Sequence, residues 1–144
     1  MRIDWAVTCR YAESDGLVAT IVGAGVDVQR LPHLPGLAAT MLAVRLAGAP
    51  DEFGAEQMHQ LAAQVCGLNG DPVRDPAGNV IPPLEFEFGW DQPIEQAVPG
   101  WLVNPLFTFG IQWWAAEPGT YTITLTVDDG EPHLSPVHIL HSGA

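Results

Sequence analysis

Lysine is absent from this sequence, and five arginines face seventeen aspartates and glutamates, for a formal net charge of −12. A surface this negative repels phosphate backbones and anionic lipids, which excludes nucleic-acid and membrane-surface binding as expected functions. It suits a basic partner or cations. Cysteine is scarce too. Cys9 and Cys66 sit inside apolar stretches, where reduced thiols are expected rather than a bridge. No apolar run reaches the roughly 18 residues of a membrane span. Met1-Arg2-Ile3-Asp4 is not followed by a signal-peptide core, so no export by a signal peptide is expected. The expected location is the cytoplasm, or a larger assembly that packages the protein.

Motifs that carry chemistry are missing as well. No GxSxG surrounds Ser14, Ser135 or Ser142. Ser135 lies near His133 and His138, but neighbours along one edge strand do not converge into a triad. His133 and His138 differ in parity on a strand, as do His138 and His141, and no HxH or CxxC pair occurs. Gly23-Ala24-Gly25 lacks the third glycine and the following helix of a dinucleotide loop, so a bulge or bend in a strand is expected. Asp128, Asp129 and Glu131 lack the alternating oxygen ligands of a calcium loop. No catalytic residue, metal ligand or cofactor is assigned. Glu85 and Glu87 fall about 7 Å apart on one strand face, which keeps a hydrolase of glycosides or esters as an alternative.

What the chain does contain is alternation. Its 144 residues are one domain's worth, and 47% apolar content against 15% charged is enough for a globular core. Tyr121, Ile123, Leu125 and Val127 alternate with Thr120, Thr122, Thr124 and Thr126, one apolar face and one hydroxyl face. Asp129-Gly130 supplies a hairpin turn that accepts positive φ. The chain returns from His133 to Leu140 with Pro136 interrupting the pairing, which predicts an edge or bulged strand. Residues 3–11 place Ile3, Trp5, Val7, Cys9 and Tyr11 on one side. Residues 17–28 form a second run, and Leu42, Val44 and Leu46 face inward with Arg45 outward.

Residues 55–68 carry apolar residues at helical spacing, yet as a strand Leu61, Ala63 and Val65 face inward and Asn69-Gly70 turns the chain. The strand reading is favoured. Leu84, Phe86 and Phe88 follow, with Trp90 closing that strand, and then a loop over 91–105 carrying Trp101 and Leu102.

The aromatic residues point to a surface. Trp113 and Trp114 are consecutive, so on a strand they project to opposite faces. Trp113 continues the stripe of Phe107, Phe109 and Ile111. Trp114 shares the polar face of Thr108 and Gln112, on the same outer face as the threonines of 119–127. An indole there is covered by a flap carrying Trp101, or is a platform for a protein partner or a sugar.

The segment from Trp5 through CRYAESDGLVATIVGAGVD, with the later EPGTYTITLTVDDG, resembles a bacterial domain family of unknown function. Its members open with a strand, an acidic-Gly turn and an I-x-G strand, and end with a Pro-Gly-x-Tyr strand and an Asp-Gly hairpin. The Trp-bearing 91–105 segment departs from that pattern. The resemblance implies a strand at 55–68 and brings no activity, cofactor or catalytic residue.

Seven or eight strands with short turns predict a single all-β domain over residues 1–144. The expected architecture is a two-sheet antiparallel β-sandwich of immunoglobulin-like or jelly-roll type. The expected function is that of a non-catalytic interaction or assembly module of bacterial or phage origin. It would act through Trp114, Trp101, Gln112 and Thr108 on a protein partner or a second copy. A hydrolase or a carbohydrate-binding module is the alternative.

Overall fold

The computed structural model describes residues 1–16, 18–54, 56–89 and 104–143. Trp90 and Trp101, with the other aromatic and apolar residues expected over 91–103, lie outside them. The chain is all-β, with ten strands among the described residues: β1 (Arg2–Cys9), β2 (Tyr11–Ser14), β3 (Ala19–Val22), β4 (Val28–Leu31), β5 (Gly36–Ala47), β6 (His59–Cys66), β7 (Leu84–Phe88), β8 (Leu106–Ala115), β9 (Gly119–Val127) and β10 (His133–His141). One 3-10 turn, Pro50–Phe53, precedes β6. No α-helix occurs among the described residues.

The strands form three sheets, ordered β1-β5-β8, β4-β10-β9-β6-β7 and β2-β3. The five-stranded sheet curls as a half-barrel. This departs from a purely antiparallel pair of sheets in two ways. A two-stranded ribbon stands apart, and β4 runs parallel to β10. The cause lies in the 17–28 run, which is not one strand. Gly23 and Gly25 both take positive φ, 65° and 75°, and turn the chain sharply. Residues before the turn pair with β2, and residues after it join the half-barrel.

The main core draws on both larger sheets. Leu42, Val44, Leu46 and Trp113 come from one, and Ala63, Val65, Ile123, Leu125, Val127, Val137 and Ile139 from the other. Aromatic pairs tie β7 to β8. Phe86 meets Phe109 at 4.8 Å and Phe88 meets Phe107 at 4.7 Å between centroids, each worth about 0.5–1.5 kcal/mol beyond burial. The inward parity expected for β5, β6, β8 and β9 holds throughout. At β6 the strand geometry overrides local helix propensity, because β9 and β7 both offer it backbone partners. Leu61, Ala63 and Val65 are buried, whereas Met58, which a helix would turn inward, is 66% exposed.

A second, smaller core forms on the back of the three-stranded sheet from Cys9, Ala12 and Ala43, with Trp5, Val7, Ile21 and Met41 packed against it. The parity expected for residues 3–11 fails at both ends of β1. The pairing register shifts between Ile3 and Trp5, so Ile3 packs on the main core while Trp5 packs on the small one. A one-residue bulge swaps faces in this way. At the other end the strand breaks at Arg10, and Tyr11, 49% exposed, starts β2.

Two turns differ in detail. The positive φ after β9 belongs to Asp128, at 51°, and not to Asp129 or Gly130. β10 is an interior strand in the sheet order, yet β4 reaches only His138 to His141. Pro136 therefore pairs with β9 alone, which is how a residue without an N–H is accommodated.

Candidate functional site around Trp114

Trp113 and Trp114 do project to opposite faces. Trp113 is 1% exposed in the main core, and Trp114 is partly buried on the back of the sheet, opposite Leu37 of β5. The threonines of β9 belong to the half-barrel, so Trp114 does not share their face. The wet faces of β8 and β9 looked continuous in sequence because a hairpin joins them. That hairpin carries the chain from one sheet to the other.

Of the expected site residues, Trp114, Gln112 and Thr108 share the back face of β8, opposite Leu37, Ala39 and Ala43 respectively. Thr108 lies toward the half of that face where the small core forms. Gln112 is exposed and lines a cleft of about 740 Å³. Trp114 lines a different cleft of about 400 Å³. Trp101 lies outside the described residues, so its covering role has no geometry here.

The Trp114 cleft is built by the loop after β6. Asn69 and Gly70 turn the chain as expected, with Gly70 at φ 83°. Gly67 N–H donates to Asp71 O at 2.8 Å, and Val73 N–H returns to Val65 O at 3.1 Å. Val73 is buried and anchors the loop to the main core. Leu68 packs on Gly119, where φ is 147° and an added Cβ would stand 2.5 Å from a Leu68 methyl. Glycine is needed there twice over, for its backbone angle and for the close approach. On the hairpin side, Tyr121 donates its hydroxyl to Glu117 O at 3.1 Å and accepts Glu117 N–H at 3.4 Å.

Between these two supports lies an indole wall with Asn69, Asp71, Asp75 and Glu117 around it. Arg74 is the cation of the lining, and its Nη1 donates to Gly78 O at 2.8 Å. Asp75 accepts Asn79 Nδ2–H at 3.0 Å and Asn79 N–H at 2.8 Å. Those bonds, the Asn79 side chain first, hold its carboxyl below the ordinary aspartate range. The rim is thus net acidic. An acidic rim beside an indole face attracts cations by charge and by the ring quadrupole.

The residues weighed for catalysis are dispersed. Ser135 is buried on the inner side of β10, while the side chain of His138, a residue of opposite parity, bonds the Thr120 hydroxyl at 2.8 Å. His141 donates to Pro32 O at 3.2 Å. Glu85 and Glu87 stand exposed on β7, opposite Ala62 and Gln60. Cys9 and Cys66 are both free thiols.

Sequence reading missed His59 and the pair Arg10 and Arg30. His59 lies between Asp128 Oδ2, 3.0 Å from its Nδ1, and Glu52 O, 2.6 Å from its Nε2. Arg10 and Arg30 both line the 740 Å³ cleft. The usable signal for the arginines was their scarcity, since a cation is conspicuous in so acidic a chain. No protein-family model matches the chain, and no curated protein sequence matches it.

Proposed function

We propose that this protein is a non-catalytic interaction module whose contact surface centres on Trp114 and which binds a basic segment of a protein partner. The observation that carries the reading is the cleft itself: a partly buried indole facing Asn69, Asp71, Asp75 and Glu117. A partner's arginine or lysine stacks on the indole while its charge meets the acidic rim, worth about 0.5–2 kcal/mol per stacked cation. Leu37, 53% exposed and opposite Trp114, extends the apolar part of the surface. The scaffold reads as a sandwich of the three-stranded and five-stranded sheets, supported by the core they share.

The test is a titration of the full chain with a hexa-arginine peptide, followed by indole fluorescence and light scattering. Saturable binding that falls at least tenfold in Trp114→Ala and Glu117→Gln is the expected result. An unchanged fluorescence signal, with the same mass for wild type and Trp114→Ala, would remove the proposal. The second reading is carbohydrate binding, favoured by amide and carboxylate groups beside an indole face. A response to neutral oligosaccharides but not to the basic peptide would select it.

A further inference from the structure

We propose that the 740 Å³ cleft between β4 and the upper half of β5 binds a small organic anion, an acidic headgroup on an aliphatic body. This site is separate from the Trp114 cleft and does not rest on its reading. It exists because β1 stops early. β1 pairs with β5 only as far as Cys9 opposite Met41. Beyond that point residues 36–40 have β8 on one side and, among the described residues, no strand on the other. Gln29 of β4 stands in for the missing strand, its Oε1 accepting Ala39 N–H at 3.3 Å. A side chain spans further than a ladder hydrogen bond, which sets strands about 4.8 Å apart. The gap is the cleft, and its volume lies within the range of sites that enclose small molecules.

The lining selects the body of the ligand. Val26, Val28, Leu31, Ala39, Met41 and Ile111 supply the apolar surface, and no aromatic side chain lines the cleft among the described residues. A planar base or a sugar finds no ring to stack on, whereas a saturated chain finds methyl groups and a thioether. Gly110 keeps that thioether in place: a Cβ there would stand 3.3 Å from Met41 Sδ.

The charge selects the headgroup. Two of the five cations of a −12 chain line this one cleft, Arg10 and Arg30. Arg45 is paired with Asp4 at 3.3 Å, and Arg74 donates to a backbone carbonyl. Neither the Arg10 nor the Arg30 side chain has a hydrogen-bond or ion-pair partner among the described residues. Arg10 is also held at its base. Its N–H donates to Val22 O at 3.1 Å, and Gly23 packs so closely that a Cβ would lie 3.1 Å from Arg10 Cγ. The stem is fixed and the guanidinium keeps its donors for a carboxylate or phosphate. Gln112, exposed on the same lining, adds an amide donor.

Octanoate, octyl phosphate and 1-octanol titrated into the isotope-labelled full chain test the proposal by amide and arginine chemical shifts. Both anions are expected to shift Arg10, Gln29, Ala39 and Gln112 and to bind at least tenfold more tightly than the alcohol. The tighter of the two identifies the headgroup. Arg10→Gln with Arg30→Gln should bring octanoate down to the level of 1-octanol. Should that double variant fail to fold, Gln112→Glu places a carboxylate on the exposed wall and should weaken octanoate at least tenfold. Shifts confined to other residues, no saturable binding of either anion, or equal binding of acid and alcohol would each overturn the proposal. So would tighter binding of a hexaglutamate peptide than of either small anion, which would make the cleft a protein-docking surface.

Discussion

Replacing Asp128 tests whether the turn after β9 holds the start of β6 in place. Asp128 N–H donates to Gln60 O at 2.7 Å, and its Oδ1 accepts Gln60 N–H at 3.0 Å. Its Oδ2 lies 3.0 Å from His59 Nδ1, and the other ring nitrogen of His59 lies 2.6 Å from Glu52 O. An alanine keeps the backbone bond and loses both side-chain acceptors. The carboxylate is 43% exposed, so each bond counts toward the low end, about 0.5–1 kcal/mol. Alanine at a φ of 51° costs up to about 1 kcal/mol more than aspartate, which tolerates that region. The expected loss is about 2 kcal/mol, or roughly 6–8 °C in Tm for a domain of this size. Asparagine keeps the backbone tolerance and one acceptor, so it should lose about 1 kcal/mol, with glycine between the two. Urea unfolding followed by indole fluorescence gives the order. Alanine no worse than asparagine would refute the reasoning. The same side chain sets a pH dependence. Burial pushes the Asp128 carboxyl up, but the bonds from His59 and the Gln60 N–H outweigh it and leave its folded pKa lowered. A lowered folded pKa means stability that is present above the ordinary value near 4 and lost as pH falls through the folded value. Wild type and Asp128→Asn should therefore converge in acid, and stability curves that stay parallel would count against the assignment.

Three further outcomes follow from close packing and burial. Gly119→Ala meets Leu68 and an unfavourable φ together, so it should cost about 2–3 kcal/mol in chemical unfolding; restoring stability with Leu68→Ala in the same chain would confirm the clash. Gly36→Ala drives its Cβ into the His33 carbonyl oxygen, and because backbone cannot swing aside it should cost about 2 kcal/mol or more; a wild-type melting curve would contradict that geometry. Cys9 is 2% exposed and burial pushes its thiol pKa up, while Cys66 is only partly buried. An aromatic disulfide reagent should therefore label Cys66 first and Cys9 only on unfolding, and the reverse order would show that the small core is open.

The strands were legible where one face is dry along their whole length. Ile123, Leu125 and Val127 show the rule, and so does β6, where alternation outlasted a helix-forming composition. The breaks were not legible, since they depend on backbone geometry at single residues. The shift between Ile3 and Trp5 leaves no mark on composition, yet it moves Trp5 into a second core. Gly23 and Gly25 signalled a bend within one strand, but not that its two halves enter different sheets. The candidate residues were found as far as parity on β8 could reach, which placed Trp114, Gln112 and Thr108 on one face. Their partners Asn69, Asp71, Arg10 and Gln29 come from loops and strands distant in sequence, and no local pattern joins them.

The 740 Å³ cleft traces back to an asymmetry in strand length, and the same asymmetry exposes Leu37 opposite Trp114. β5 has twelve residues and β1 only eight, so β1 reaches Met41 to Ala47 and leaves residues 36–40 as an overhang. On the covered half, Ala43 is fully buried in the small core; on the overhang, Leu37 is 53% exposed beside Trp114, and Ala39 meets Gln112 and Gln29. If the overhang is where binding occurs, the two halves should separate in mutagenesis. Ala43→Leu overpacks the small core and should cost about 1–3 kcal/mol, while leaving octanoate affinity within about twofold of wild type in conditions where the protein stays folded. Leu37→Asn is a surface change, expected within about 0.5 kcal/mol of wild-type stability, and should weaken hexa-arginine binding severalfold. A Leu37→Asn variant that binds normally, or an Ala43→Leu variant that loses octanoate while still folded, would show that the division of the face has no bearing on function.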